Sequence, residues 1–137
     1  DFITFESDRS GSQKIYVMNL KTKKIKRISF GKGKYATPVW SPRGDLIAFT
    51  KLLGGEFYIG VMYTDGKGER VVYKSYLVEG PTWSPNGRVI SFYNQNRLSG
   101  GKISNPKIKM IDLTGINLRE LVTPSDGSDP AWSGLLP

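Results

Sequence analysis

The sequence predicts an all-β fold of β-propeller blades, four antiparallel strands to a blade and about three blades to the chain. Three observations predict it. The segment Thr82-Trp83-Ser84-Pro85-Asn86-Gly87-Arg88-Val89-Ile90-Ser91-Phe92 repeats an upstream segment, Pro38-Val39-Trp40-Ser41-Pro42-Arg43-Gly44-Asp45-Leu46-Ile47-Ala48-Phe49, and Asp129-Pro130-Ala131-Trp132-Ser133 begins it a third time. The repeat has a long period: Trp40, Trp83 and Trp132 are 43 and 49 residues apart, and Phe5, Phe49 and Phe92 are 44 and 43 apart. Four short strand-like segments fill each period, which is the pattern of propeller blades. Finally, no segment spaces its apolar residues as a helix would, and glycine-rich turns interrupt the chain every ten residues or so.

Taken in order, Phe2-Ile3-Thr4-Phe5 is short, aromatic and β-branched, and reads as a strand. Ser7 to Ser12 has loop chemistry, and Ile15-Tyr16-Val17-Met18 is the next strand. Lys21 to Lys24 makes a turn into Ile25-Lys26-Arg27-Ile28, whose apolar and basic residues alternate as on a strand with one exposed face. Gly31 to Lys34 is a connector to the first full repeat. The same order then recurs: strands at Leu46–Phe49, Tyr58–Met62 and Arg70–Tyr73, then at Val89–Tyr93, Lys107–Ile111 and Leu118–Val122, with a long loop over 94–106. The strand inventory divides the chain into an incomplete blade (1–30), a full blade (35–74), a second full blade (79–123) and a lone inner strand (128–137).

The repeated unit reads as framework. In Ser-Pro-x-Gly, Pro42 and Pro85 preset the backbone of a type I turn, and Gly44 and Gly87 take the left-handed position that follows. Trp40, Trp83 and Trp132 end inner strands and supply large apolar bodies between neighbouring blades. One blade cannot bury both its faces, so blades need neighbours.

Composition narrows the chemistry. The 137 residues include neither cysteine nor histidine. Disulfides, thiolate or imidazole metal ligands, cysteine nucleophiles and a Ser-His-Asp triad therefore cannot be built from this chain alone. There is no Gly-x-Ser-x-Gly elbow, no phosphate loop, no facing carboxylate pair and too few oxygens for a calcium loop. No catalytic residue, metal site or cofactor is expected. The formal net charge is +8, which favours acidic partners in general. Its densest cluster, Lys21, Lys23, Lys24, Lys26 and Arg27, falls on one outer hairpin, where lysines protecting a strand edge account for it better than nucleic acid does. No run approaches membrane-spanning length, so direct membrane insertion is not expected.

Pro-x-Trp-Ser-Pro-x-Gly, followed by a strand ending in Phe, then Ser7-Asp8-Arg9-Ser10-Gly11 and Ile15-Tyr16-Val17-Met18-Asn19, resembles the repeats of the TolB family, and the run Ser125 to Pro137 is similar to that family's C-terminus. These TolB/WD40-like repeats imply the C-terminal half of a six-bladed propeller. Gly134 departs from the pattern, standing where the turn proline would be. The resemblance implies a non-enzymatic periplasmic scaffold of the Tol-Pal system, with Pal, the peptidoglycan-associated lipoprotein, as partner alongside other Tol-Pal components. It also implies roles in outer-membrane integrity, in invagination during cell division and in bacteriocin import. The chain begins in mid-repeat and shows no signal peptide, as a fragment would. The repeat is shared with prolyl-oligopeptidase-like peptidases, so a non-catalytic peptidase propeller is the alternative. The connectors entering each inner strand share a face with those between second and third strands, and loops on a rigid scaffold carry binding. Tyr35, Thr37, Glu79 and Thr82 are the candidate partner contacts at the mouth of that face. The complementary strand inventory also suggests a homodimer, each lone strand completing the other copy's first blade into a six-bladed ring.

Overall fold

The computed structural model describes residues 1–134. It contains eleven strands in three antiparallel sheets. The first sheet holds β1 (Phe2–Ser7), β2 (Lys14–Asn19) and β3 (Ile25–Arg27) in that order. The second holds β4 (Lys34–Trp40), β5 (Leu46–Leu53), β6 (Glu56–Tyr63) and β7 (Arg70–Ser75). The third holds β8 (Leu77–Trp83), β9 (Val89–Gln95), β10 (Lys107–Asp112) and β11 (Arg119–Leu121). Every sheet is a meander of sequence neighbours, as the tight turns between short strands require. The sheets stack in chain order, with β4 against β1 and β2, and β8 against β4, β5 and β6.

The middle sheet is buried on both faces, and its registers show how. Ile47 lies opposite Met62 and Phe49 opposite Gly60. With Ile15, Ile28 and Tyr35 they form the core between the first and second sheets. Ala48 opposite Val61, with Ile59, belongs to the other core, shared with Val78, Trp83, Ile90, Phe92 and Ile111. A period of two puts alternate residues on alternate faces, so a strand such as Ile47-Ala48-Phe49 fills two cores at once.

The Ser-Pro-x-Gly turns close as their residues dictate. The Gly44 amide donates to the Ser41 carbonyl and the Gly87 amide to that of Ser84, each at 2.8 Å, and the two glycines have φ of 79° and 69°. Trp83 is buried, and its Nε1 donates to the Val39 carbonyl of the second sheet at 3.0 Å. Trp40 is half-buried, stacks on Phe2 at 6.3 Å and donates to the Gly44 carbonyl. Trp132 stays 40% exposed.

The end of the chain differs from the strand expected over 128–137. Asp129–Ser133 carries no strand pairing, and Leu135–Pro137 lies outside the described residues. Gly127 donates to the Pro106 carbonyl and its Cα approaches Ile108, while Pro130, Ala131 and Trp132 lie beside Ser91, Ile108, Met110 and Leu121. Those four residues face away from the core shared with the second sheet. The physical reason is partnership: with no strand edge beside it, the segment lies along the outer face of the third sheet instead, where Pro130 is half-buried and Ala131 and Trp132 remain exposed.

Candidate functional site

Both inner strands carry a bulge at the same place. The register of β4 on β5 slips between Ala36 and Val39, and that of β8 on β9 between Glu79 and Thr82. At each slip a residue with positive φ precedes a proline: Thr37 (47°) before Pro38 and Gly80 (65°) before Pro81. Asp129 (50°) before Pro130 repeats the conformation in the terminal segment. Glycine adopts it freely, but a β-branched threonine does not, so Thr37 is a strained residue held by its surroundings. A bulge re-aims side chains at the rim of a sheet.

What holds these bulges is a pair of contacts from one sheet to the next. The Thr37 amide donates to the Glu6 carboxylate of β1 at 2.6 Å, and Gln13 orients that carboxylate through its other oxygen at 2.7 Å. The Gly80 amide meets the hydroxyl of Thr50 in β5 at 3.3 Å, and Thr50 also shares a hydrogen bond with the Thr37 hydroxyl at 2.6 Å. Each amide, released from its own ladder by the slip, is thus satisfied by an oxygen on the preceding sheet.

On the third sheet the equivalent place is taken by Tyr93, whose hydroxyl donates to Gln95. Burial, and then the negative charges of Glu79, Asp126 and Asp129, hold this hydroxyl above the ordinary phenol range. The rim is therefore acidic around Tyr93. The same face opens into a cleft of about 650 Å³ between the β5–β6 turn at Gly54–Glu56 and the pair Tyr76 and Arg97, whose guanidinium lies 4.7 Å from the Tyr76 ring centre. Among the described residues no group of three potential metal ligands comes together. The arrangement offers hydrogen-bonding groups and charge on a rigid support, which suits binding.

The predicted contacts separate. Thr37 and Glu79 are exposed on the bulges, and Thr82 is half-buried beside Pro85 and Trp83. Tyr35 must be corrected: it is fully buried in the core between the first two sheets, with its hydroxyl on Glu69 at 2.5 Å. Glu69 also binds Lys51 at 2.9 Å, and Lys14 caps the Gly31 and Gly33 carbonyls at 2.8 and 2.7 Å. Glu6, Thr50 and Tyr93 were not singled out from the sequence. Their one visible signal is position, since they stand 44 and 43 residues apart.

The Tyr35 network titrates at alkaline pH. Burial opposes the charge on Lys51, but its hydrogen bond to the Glu69 carboxylate outweighs this and holds Lys51 above the usual 10.5. Burial and the Glu69 bond raise Tyr35 above 10.0. Both groups hold their protons more tightly folded than unfolded, so their stabilisation is complete below those values and is lost as pH rises through the raised ones. Lys14 runs the other way: burial, then the charges of Arg27 and Lys51, lower it, and its cost is relieved as pH rises. Glu69→Gln is expected to lower stability by about 2 kcal/mol, less than a fully buried pair because the carboxylate keeps some contact with water. Thermal unfolding followed across pH 9 to 11.5 (about one unit either side of the lysine value) should show a flatter alkaline decline in the variant than in the native chain.

Sequence comparison places this geometry among known proteins. The family pattern described as "TolB beta propeller domain" matches residues 1–136. The chain belongs to the TolB β-propeller family. It is 49% identical over 106 residues to the Tol-Pal system protein TolB of Gluconobacter oxydans, covering 77% of this chain and 23% of that protein. Against TolB from a Wolbachia of Drosophila simulans it is 51% identical over 123 residues, covering 88% of this chain and 28% of the relative. The chain thus spans about a quarter of the length of these TolB relatives. The crystal structure of putative TolB from Agrobacterium tumefaciens superposes with a TM-score of 0.78 over 96% of this chain and 50% of that one, at 23% identity, which shows the shared fold.

Proposed function

We propose that this chain is a non-enzymatic protein-binding scaffold of the Tol-Pal system, acting in the periplasm and docking the lipoprotein Pal on the bulge face. The observation that carries the reading is the strained Thr37, an exposed polar residue fixed between Glu6 and Thr50 on a sheet buried on both sides. Strain retained at an exposed rim is a mark of a site whose shape matters. Glu79 stands at the neighbouring bulge and adds its charge to the acidic rim around Tyr93. The TolB relatives, named for the Tol-Pal system, support the choice of partner. Through Pal the scaffold would serve outer-membrane integrity and cell division, and the same face would be open to imported bacteriocins. The unpaired segment Asp129–Ser133 and the edge of β1 not occupied by β2 support a homodimeric ring, in which each copy supplies the inner strand that the other's first sheet lacks.

Calorimetric titration of Pal into the chain tests the docking. Glu79→Lys is expected to weaken binding tenfold or more, in the range of about 1–2 kcal/mol for a contact near the centre of an interface. Thr82→Ala, half-buried further along the same strand, should weaken it less. Unchanged affinity in Glu79→Lys, or failure of the native chain to bind Pal, would reject this face.

A further inference from the structure

The basic charge is not spread over the molecule. Between Asp8 and Asp45 the sequence has ten lysines and arginines and no acidic residue, more positive charge than the whole chain's net +8. Its densest part is the hairpin from β2 to β3, at the edge of the first sheet opposite β1. Lys21, Lys23, Lys24 and Lys26 are all exposed there, and among the described residues none of them enters a salt bridge.

Protection of a strand edge does not account for this arrangement. Only Lys26 lies on β3; Lys21, Lys23 and Lys24 stand in the turn, where they block no pairing. Their side chains are not needed to build the turn either. The Asn19 side chain accepts the Lys21 and Thr22 amides at 2.9 and 3.0 Å, and the Asn19 backbone exchanges hydrogen bonds with Lys23 and Lys24. Beside the lysines, Leu20 (37% exposed) and Ile25 (45%) face water, and Phe30 (69%) does so past the other end of β3. An edge shielded against self-association would not keep a phenylalanine so open. Arg27 donates to the Ser29 carbonyl at 2.7 Å and lies 5.0 Å from the Phe30 ring centre, which supports that ring in its outward position.

We infer that this hairpin is a peripheral docking surface for a membrane bearing anionic lipid headgroups. Lysines interspersed with two exposed aliphatic side chains, and an exposed aromatic further along the same edge, match an interface that is negative at its surface and apolar just beneath. The cleft at Gly54–Glu56 is lined by no residue of the hairpin, and the cations are point charges on flexible stems. A nucleic acid would call for a groove or stacking platform, and an acidic peptide for forked arginines. The one arginine of the hairpin is already engaged by its own strand end. No spanning element is required, and among the described residues no helix is long and apolar enough to cross a membrane.

Co-sedimentation of the whole chain with vesicles tests the inference independently of Pal. Binding is expected to phosphatidylcholine vesicles containing phosphatidylglycerol and not to phosphatidylcholine alone. It should fall away as salt shortens the screening length from about 10 Å to about 3 Å. The combined variant Lys21→Gln, Lys23→Gln, Lys24→Gln, Lys26→Gln should lose binding tenfold or more, and Phe30→Ser several-fold. A control with the same charge removed elsewhere, at Lys67, Lys74, Lys102 and Lys107, should lose far less. Unaltered unfolding midpoints would show that the variants remain folded. Equal binding to neutral vesicles, indifference to the hairpin substitutions, or equal loss in the control would overturn the inference. Displacement by millimolar inorganic phosphate at constant ionic strength would replace it with a discrete phosphate site, and binding of random duplex DNA as tight as that of the vesicles would replace it with nucleic acid.

Discussion

Replacing Trp83 by alanine is expected to cost about 3–5 kcal/mol of unfolding free energy. The indole is 5% exposed, in the core that joins the second and third sheets. Alanine would leave a cavity bounded by the backbones of two separate sheets, which cannot close on it without breaking their ladders. It would also strip the Val39 carbonyl of its donor at 3.0 Å. Domains of this size have total stabilities of about 5–15 kcal/mol, so the loss is a large share of the whole. Urea denaturation should show a much lower midpoint with little change in slope. Trp83→Phe keeps most of the apolar volume and should cost less than half as much. Trp40→Ala, which removes a half-exposed ring from its stack on Phe2, should cost less again. An alanine variant with the native midpoint would contradict the role of Trp83 as the bond between these sheets.

The second large effect is expected from a single added methyl group. Gly66 sits in the turn between β6 and β7 with φ of 87°, and a Cβ placed there would lie 1.8 Å from the Ile28 carbonyl oxygen in the first sheet. The obstacle is backbone, so no side-chain rotation relieves it. Gly66→Ala must either pull the turn away from the first sheet or push Ile28 out of the core it shares with Tyr35 and Phe49. Glu69 follows three residues later, so retreat of the turn would also loosen its grip on Tyr35 and Lys51. Left-handed backbone costs an alanine about 1–2 kcal/mol, and overpacking about 1–3 more. Gly55→Ala is the control: its φ is 78°, but nothing lies within 4 Å of the added carbon, so only the conformational part should appear. Equal midpoints for the two variants would mean that the turn does not press on the first sheet.

These contacts also show where sequence reasoning reaches its limit. The strands and Ser-Pro-x-Gly turns were legible because alternation and turn chemistry are local, and the tandem copies reinforced each other. The burial of Tyr35 is not legible in the sequence because its decisive partner, Glu69, is 34 residues away. Gly66 is likewise silent in the sequence, since nothing nearby in the chain announces the Ile28 backbone behind it. The strain at Thr37 left a faint trace, because Thr37-Pro38, Gly80-Pro81 and Asp129-Pro130 recur at one place in the repeat. The oxygens that satisfy the bulges left almost none: Glu6 and Thr50 serve the same purpose with different side chains. The terminal segment carries a strand's residues, but β-structure needs a neighbouring edge, and composition does not supply one.

The contact between each bulge and the sheet before it has a direction. Glu6 serves Thr37, and Thr50 serves Gly80, always from the earlier sheet to the later one. A repeat copied onto the end of such a stack would bring its own acceptor for whatever is copied next. Growth by duplication would then need no newly invented junction, and each joint could drift in residue type while an oxygen remained in place. Polarity of this kind gives the stack a grammar: units can be appended in sequence, but one inserted backwards would find no acceptor waiting for it.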